Sequence, residues 1–135
     1  MKIIYCDMVA DLFHYGHVNF LKRCKQLGDY LIVGIHSDSD VESYKRKPIL
    51  SFEERVQVVE ACKYIDKVVK GPIIVTTKFL SKHKIDYVVH AHDKEDTSYD
   101  YQYENVPKEK FIRVDYTDGI STTDIINRIV KNNLL

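Results

Sequence analysis

The stretch YLIVGIH, residues 30–36, decides the fold class. It is a continuous apolar run with no polar alternation. A strand with one face in water alternates, whereas a strand of a parallel sheet covered on both faces reads as an unbroken hydrophobic segment. Before it, Val18, Phe20, Leu21, Cys24 and Leu27 follow helical spacing, and Gly28 stands where a helix C-terminal glycine belongs. After it, SFEERVQVVEACKYI (51–65) opens with Ser51 and Glu54 in capping-box spacing and carries Val56, Val59, Cys62 and Ile65 as a core stripe. A doubly covered strand between two helices predicts an α/β chain.

The same alternation runs outward to both ends. KIIYCD (2–7), KVVKG (67–71), DYVVHA (86–91) and KFIRVDY (110–116) read as further strands. TTKFLSKHK (76–84), capped by Thr76 or Thr77, and STTDIINRIVKN (121–132), capped by Ser121, read as helices. Alternating strands and helices specify a parallel sheet with right-handed crossovers and helices on both faces. A polar, tyrosine-rich loop fills the space up to Asn105, and the 135 residues contain no repeat or linker, so one domain over 1–135 is expected.

Composition narrows the function classes. Hydrophobic residues make up 44% and charged residues 30%, as in ordinary globular chains. A formal net charge of zero gives no support to a general nucleic-acid surface, though it permits a local basic pocket. No apolar run approaches the roughly 20 residues that span a bilayer. Cys6, Cys24 and Cys62 are scattered without CxxC spacing, as expected of reduced thiols. These features predict a soluble, cytoplasmic domain.

Chemistry concentrates at two helix starts. In an open parallel sheet, ligands bind outside the carboxyl ends of the strands near the switch in strand order. The loop after the first strand ends in HYGH, residues 14–17, just ahead of the first helical run. Free main-chain N–H groups and the helix dipole favour an anion there, two imidazoles add donors, and Gly16 permits close approach. Metal ligation and plain structural histidines are the competing readings. A zinc site needs a third and fourth ligand at readable spacing, and His36, His83, His90 and His92 are scattered. The second start is GISTTDII (119–126), where Gly119 makes a turn and Ser121, Thr122 and Thr123 offer hydroxyls and N–H groups. Alone it reads equally well as a helix cap with Asp124 in the box position. Two such starts after sheet strands suit a polyphosphate lying between them.

YCDMVADLFHYGH, YKRK, FEERV, VVHAHD and DGISTTDII, in this order, resemble the cytidylyltransferase family of the HxGH nucleotidyltransferase superfamily over nearly the whole chain. The chain looks closest to the phosphoethanolamine and phosphocholine cytidylyltransferases. The resemblance implies a Rossmann-like, doubly wound, five-stranded parallel sheet in order 3-2-1-4-5. It implies transfer from CTP to a phosphorylated alcohol, giving a CDP-alcohol and pyrophosphate with Mg²⁺ assisting, and a homodimer paired around the first helix. By the same resemblance His14, His17 and Lys45 are the catalytic residues. Val9, Asp11, Arg55, His90, Asp93, Thr117, Gly119, Ile120, Ser121 and Thr122 surround the nucleotide, and no residue is assigned to a metal. Tyr99 and Tyr101, with carboxylates nearby, are candidates to cage a choline or ethanolamine cation.

The chain departs from the family pattern at several positions. Met8 stands where the family usually reads glycine, Ala10 at an aromatic position, and Tyr116 at an arginine before the T-x-G-I-S-T segment. The H-G-[DN]-D segment becomes His90–Ala91–His92–Asp93. A nucleotide-binding domain without turnover, a glycerol-3-phosphate cytidylyltransferase and another nucleotidylyltransferase are therefore the alternatives.

Overall fold

A computed structural model describes residues 1–91 and 98–133. Five parallel strands form one sheet: β1 (Ile3–Met8), β2 (Tyr30–Ile35), β3 (Lys67–Lys70), β4 (Tyr87–Ala91) and β5 (Phe111–Val114). Their order is β3-β2-β1-β4-β5, as expected, with every adjacent pair parallel. The helices are α1 (Tyr15–Gln26), α2 (Asp38–Glu42), α3 (Phe52–Glu60), α4 (Thr77–Lys82) and α5 (Thr122–Lys131), with short 3₁₀ turns at Asp100–Tyr103 and Lys108–Lys110.

Alternation along the strands divides the core into two layers. Ile4, Cys6, Leu31, Val33, Ile35 and Val89 face one side with Leu21 and Cys24 of α1 and Val59 of α3. Tyr5, Ile32 and Val88 face the other with Leu80 of α4 and Tyr103. Both faces of the sheet are covered, which is why YLIVGIH carries no polar alternation.

Local details differ from the sequence reading. α1 begins at Tyr15, three residues before the first position of the apolar stripe. α3 ends at Glu60 because the chain must turn to bring Asp66 beside β2, where its carboxylate accepts the Leu31 N–H at 2.8 Å. Cys62 and Ile65 still pack on the core, from the turn. Gly28 follows α1 but does not take the left-handed conformation. A side chain there would meet Ile4 at 2.6 Å and the Lys2 carbonyl at 2.9 Å, so close packing requires the glycine.

Candidate active site

The strand order reverses between β1 and β4, and a cavity of about 740 Å³ opens at the carboxyl ends of those strands. Asp7 and Met8 from β1 and His90 and Ala91 from β4 stand on its wall. Its size suits a small-molecule ligand such as a nucleotide.

The loop from Val9 to His14 carries a strained main chain: Ala10 and Leu12 adopt φ of +59° and +50°. Such conformations in non-glycine residues cost on the order of 1–3 kcal/mol each and persist only where surrounding contacts impose them. Two contacts do so. Arg55 is fully buried and donates to the carbonyls of Val9 (2.6 Å) and Leu50 (3.2 Å) and to Asp38 (2.7 Å). Asp11, also buried, accepts the N–H groups of Ile49 (2.8 Å) and Leu50 (3.0 Å), fixing the Lys45–Pro48 segment over the cavity.

At the end of that loop the two histidines cap α1 themselves. His14 is the N-cap, and its Nδ1 accepts the Gly16 N–H at 3.1 Å; His17 Nδ1 accepts the His14 N–H at 3.1 Å. This reciprocal pair is a capping box built from imidazoles. Because both Nδ1 atoms accept, each neutral ring carries its proton on Nε2 and has that N–H left to donate. The ring centroids lie 4.0 Å apart, and both residues line the cavity. Burial lowers the pKa of His14; burial, then His14, and Lys45 take His17 down to about 3, against an opposing pull from Asp11. Gly16 admits no side chain: a Cβ would lie 2.8 Å from the His14 ring and 3.1 Å from Ile120.

That last contact already brings α5 alongside α1. Ser121 caps α5 and accepts the Asp124 N–H at 3.0 Å, and Gly119 makes the preceding turn with φ of +83°. Thr122 donates its hydroxyl to the Asp11 carbonyl at 2.7 Å. The two helix starts therefore sit side by side on one cavity, as their sequences suggested.

Opposite them, Lys45 Nζ lies 5.1 Å from the Tyr99 ring centroid and 5.8 Å from that of Tyr44. Behind Tyr44 runs a buried chain that the sequence reading did not include. Tyr103 donates to Asp7 Oδ1 (2.5 Å), His36 Nε2 lies 3.3 Å from Asp7 Oδ2, and Tyr44 meets His36 Nδ1 (2.5 Å). With the Asp7 carboxylate accepting, His36 donates through Nε2, so Nδ1 accepts the Tyr44 hydroxyl. Burial and Asp7 raise the pKa of both tyrosines, which keeps them as donors.

Of the residues singled out from sequence, His14, His17, Lys45, Val9, Asp11, His90, Thr117, Ile120, Ser121, Thr122 and Tyr99 line the cavity. Arg55 and Gly119 do not; the first lies beneath the loop and the second shapes the turn before α5. Tyr101 points elsewhere, its hydroxyl accepting from Gln102 at 3.3 Å. Asp93 falls outside the described residues. Met8 stands on the wall but also packs against the core, and Tyr116 occupies the rim without a charge. Arg113 pairs with Asp100 at 3.0 Å and stays away from the cavity.

The cytidylyltransferase-like family model matches residues 6–128, a span holding every cavity-lining position. The chain belongs to the cytidylyltransferase-like family. It is 39% identical over 133 residues to a probable ethanolamine-phosphate cytidylyltransferase of Encephalitozoon cuniculi, covering 96% of this chain and 41% of that protein. It is 38% identical to the ethanolamine-phosphate cytidylyltransferase of Mus musculus (94% and 32% covered) and 41% identical to choline-phosphate cytidylyltransferase 2 of Arabidopsis thaliana (96% and 45%). The chain thus spans from about a third to under half the length of these curated relatives. Among solved structures, the lipopolysaccharide core biosynthesis protein from Thermoplasma volcanium superposes with a TM-score of 0.73 at 25% identity, covering 87% of this chain and 99% of that one. The fold of this cytidylyltransferase-like chain and its cavity at the switch point agree with that membership. Among the described residues, no helix is long and apolar enough to cross a membrane.

Proposed function

We propose that this domain transfers a cytidylyl group from CTP to a phosphorylated alcohol, phosphoethanolamine or phosphocholine, releasing pyrophosphate. The observation that carries the reading is the Thr122–Asp11 hydrogen bond, which fastens two helix N-termini and two imidazole donors to one cavity. In this reading a substrate phosphate oxygen attacks the α-phosphorus in line, a new P–O bond forms, and the bond to the bridging α–β oxygen breaks. A phosphate monoester loses its second proton near pH 6, so the nucleophile is already ionised at neutral pH and needs no general base. The protein's work is then positioning and stabilising charge as it moves onto the leaving pyrophosphate. His14 and His17 donate through Nε2–H, Lys45 supplies a positive charge over the α-phosphate, and Ser121 and Thr122 hold the triphosphate tail.

Among the described residues, the carboxylates on the cavity wall are Asp7 and Asp11, and both already accept hydrogen bonds. Among the described residues no cluster of three or more potential ligands is placed to hold a metal. Asp7 or Asp11 would be the protein's contribution to holding a Mg²⁺ brought in on the triphosphate. Bound there, the ion would neutralise phosphate charge.

For the alcohol, Tyr44 and Tyr99, whose ring centroids lie 5.8 Å apart on the cavity lining, offer the aromatic faces an ammonium group favours. Tyr101 lies outside this set. The proposal also includes a cytoplasmic homodimer paired around α1, consistent with the prevalence of two-fold dimers. Light scattering at micromolar concentration should give twice the chain mass. The activity is tested by supplying CTP, ATP and GTP with phosphoethanolamine, phosphocholine or glycerol 3-phosphate and measuring pyrophosphate. CTP bound without pyrophosphate released would identify a nucleotide-binding domain instead.

A further inference from the structure

His36 follows directly on β2 and is buried, and the reaction proposed above gives it nothing to do. Its main-chain N–H donates to the Met8 carbonyl at 3.2 Å, which ties it to the end of β1. Both ring nitrogens are engaged: Nε2 donates to Asp7 Oδ2 at 3.3 Å, and Nδ1 accepts the Tyr44 hydroxyl at 2.5 Å. Tyr103 donates to the other Asp7 oxygen, so the carboxylate is held from both sides. One imidazole thus spans a fixed, buried carboxylate and a phenol on the cavity wall.

What this chain of hydrogen bonds reaches is the Tyr44 ring. Tyr44 and Tyr99 meet edge to face, their planes at 73°, and form a corner of the cavity lining. Lys45 Nζ stands 5.1 Å from the Tyr99 centroid and 5.8 Å from that of Tyr44, so the corner already holds a cation of the chain's own. A cation is drawn to a ring by the negative charge on the ring's face. Hydrogen bonds in series polarise one another: Asp7 makes His36 a stronger acceptor, and a phenol donating to a stronger acceptor carries more negative charge in its ring. We propose that His36 is a positioning residue for the alcohol's ammonium group, fixing the Tyr44 ring by its hydroxyl and strengthening the face it offers the cation. The site then favours phosphorylated alcohols that carry an ammonium over neutral ones such as glycerol 3-phosphate. This rests on the phospho-alcohol reading above, in which Lys45 turns to the α-phosphate and the substrate's ammonium takes its place.

The test is titration calorimetry with phosphoethanolamine, phosphocholine and glycerol 3-phosphate at saturating CMP, alongside thermal melts. Wild type, Tyr44→Phe, His36→Leu and the double variant are compared. Tyr44→Phe keeps the ring and removes only the hydroxyl that His36 holds. It should weaken both ammonium-bearing ligands about three- to tenfold, the scale of one cation–ring contact, and leave glycerol 3-phosphate and CMP unchanged. His36→Leu should do the same, and the double variant should lose no more than either single one, because the two residues act through one hydrogen bond. Should His36→Leu fail to fold, the Tyr44→Phe comparison decides alone. Unchanged affinity for the ammonium-bearing ligands in a folded Tyr44→Phe variant would overturn the assignment. So would equal losses for glycerol 3-phosphate and CMP, which would mean that the chain acts only through loop shape, or losses that add in the double variant. A wild type that shows the expected selectivity but releases no pyrophosphate from CTP would overturn the proposed function alone. A wild type that binds no phospho-alcohol would overturn both.

Discussion

Thr122 and Asp11, 111 residues apart in sequence, are joined by a 2.7 Å hydrogen bond from hydroxyl to main-chain carbonyl. Asp11 belongs to the strained loop after β1 and Thr122 to the first turn of α5, so the bond sets the separation of the two helix starts proposed to hold the triphosphate. Replacing Thr122 by Val should cost only about 1 kcal/mol of stability, the usual worth of one neutral hydrogen bond. It should lower kcat/KM by about 10–100-fold, since small misplacements of phosphate-holding groups are costly to an in-line reaction. Thr122→Ser keeps the hydroxyl and should stay near wild type. Steady-state kinetics beside urea melts checks both.

His14 and His17 cap α1 and, in the proposed reaction, also donate to the phosphates, and the two roles separate by substitution. Alanine at either position should reduce turnover roughly 10²–10³-fold, as loss of a preorganised donor typically does. It should also cost about 1 kcal/mol through the lost helix cap. His17→Gln retains an acceptor at the box position, where Gln is a natural occupant, and should recover the stability without recovering the rate. Retention of wild-type turnover in the alanine variants would remove the phosphate role.

The protonation of His17 gives the stability a predictable slope. Burial, His14 and Lys45 hold the folded pKa down to about 3, while an unfolded imidazole titrates near 6.5. Between those values the unfolded chain binds a proton that the folded chain does not, so stability rises with pH across the window and is lost as pH falls from about 6.5. Urea midpoints at pH 6.5 and pH 5 should therefore drop more in wild type than in His17→Gln. Equal drops would contradict the buried, uncharged ring.

Arg55 should behave as a structural residue. Its N–H groups serve Val9, Leu50 and Asp38 beneath the loop, and Arg55→Met would leave two carbonyls without those donors, at a cost of about 2–4 kcal/mol. Asp38 is 45% exposed at its side chain and can turn to water, which limits the loss. Chemical denaturation should show the effect. A fully stable variant with a raised KM for CTP would instead place Arg55 in the nucleotide site.

The fold was legible because strand runs and capping boxes are local signals, and the unbroken apolar strands told which sheet they form. HYGH was legible as a helix start, but not as its own cap, since histidine is not a usual N-cap residue and the apolar stripe begins only at Val18. α2, five residues long, is too short to show a period. The Asp7–His36–Tyr44 chain joins the ends of β1 and β2 to the loop after α2, and no sequence spacing announces such a meeting. Tyr99 and Tyr101 look alike in sequence and separate only in the fold, where Tyr99 lines the cavity and Tyr101 does not.

Pyrophosphate release tests the central claim most directly. Purified protein given CTP, Mg²⁺ and either phosphoethanolamine or phosphocholine should release one pyrophosphate per CDP-alcohol formed, with neither product when the phospho-alcohol is omitted. The rate should fall by roughly 10²-fold or more in His14→Ala. CTP binding with no pyrophosphate released, whichever phospho-alcohol is supplied, would contradict the account.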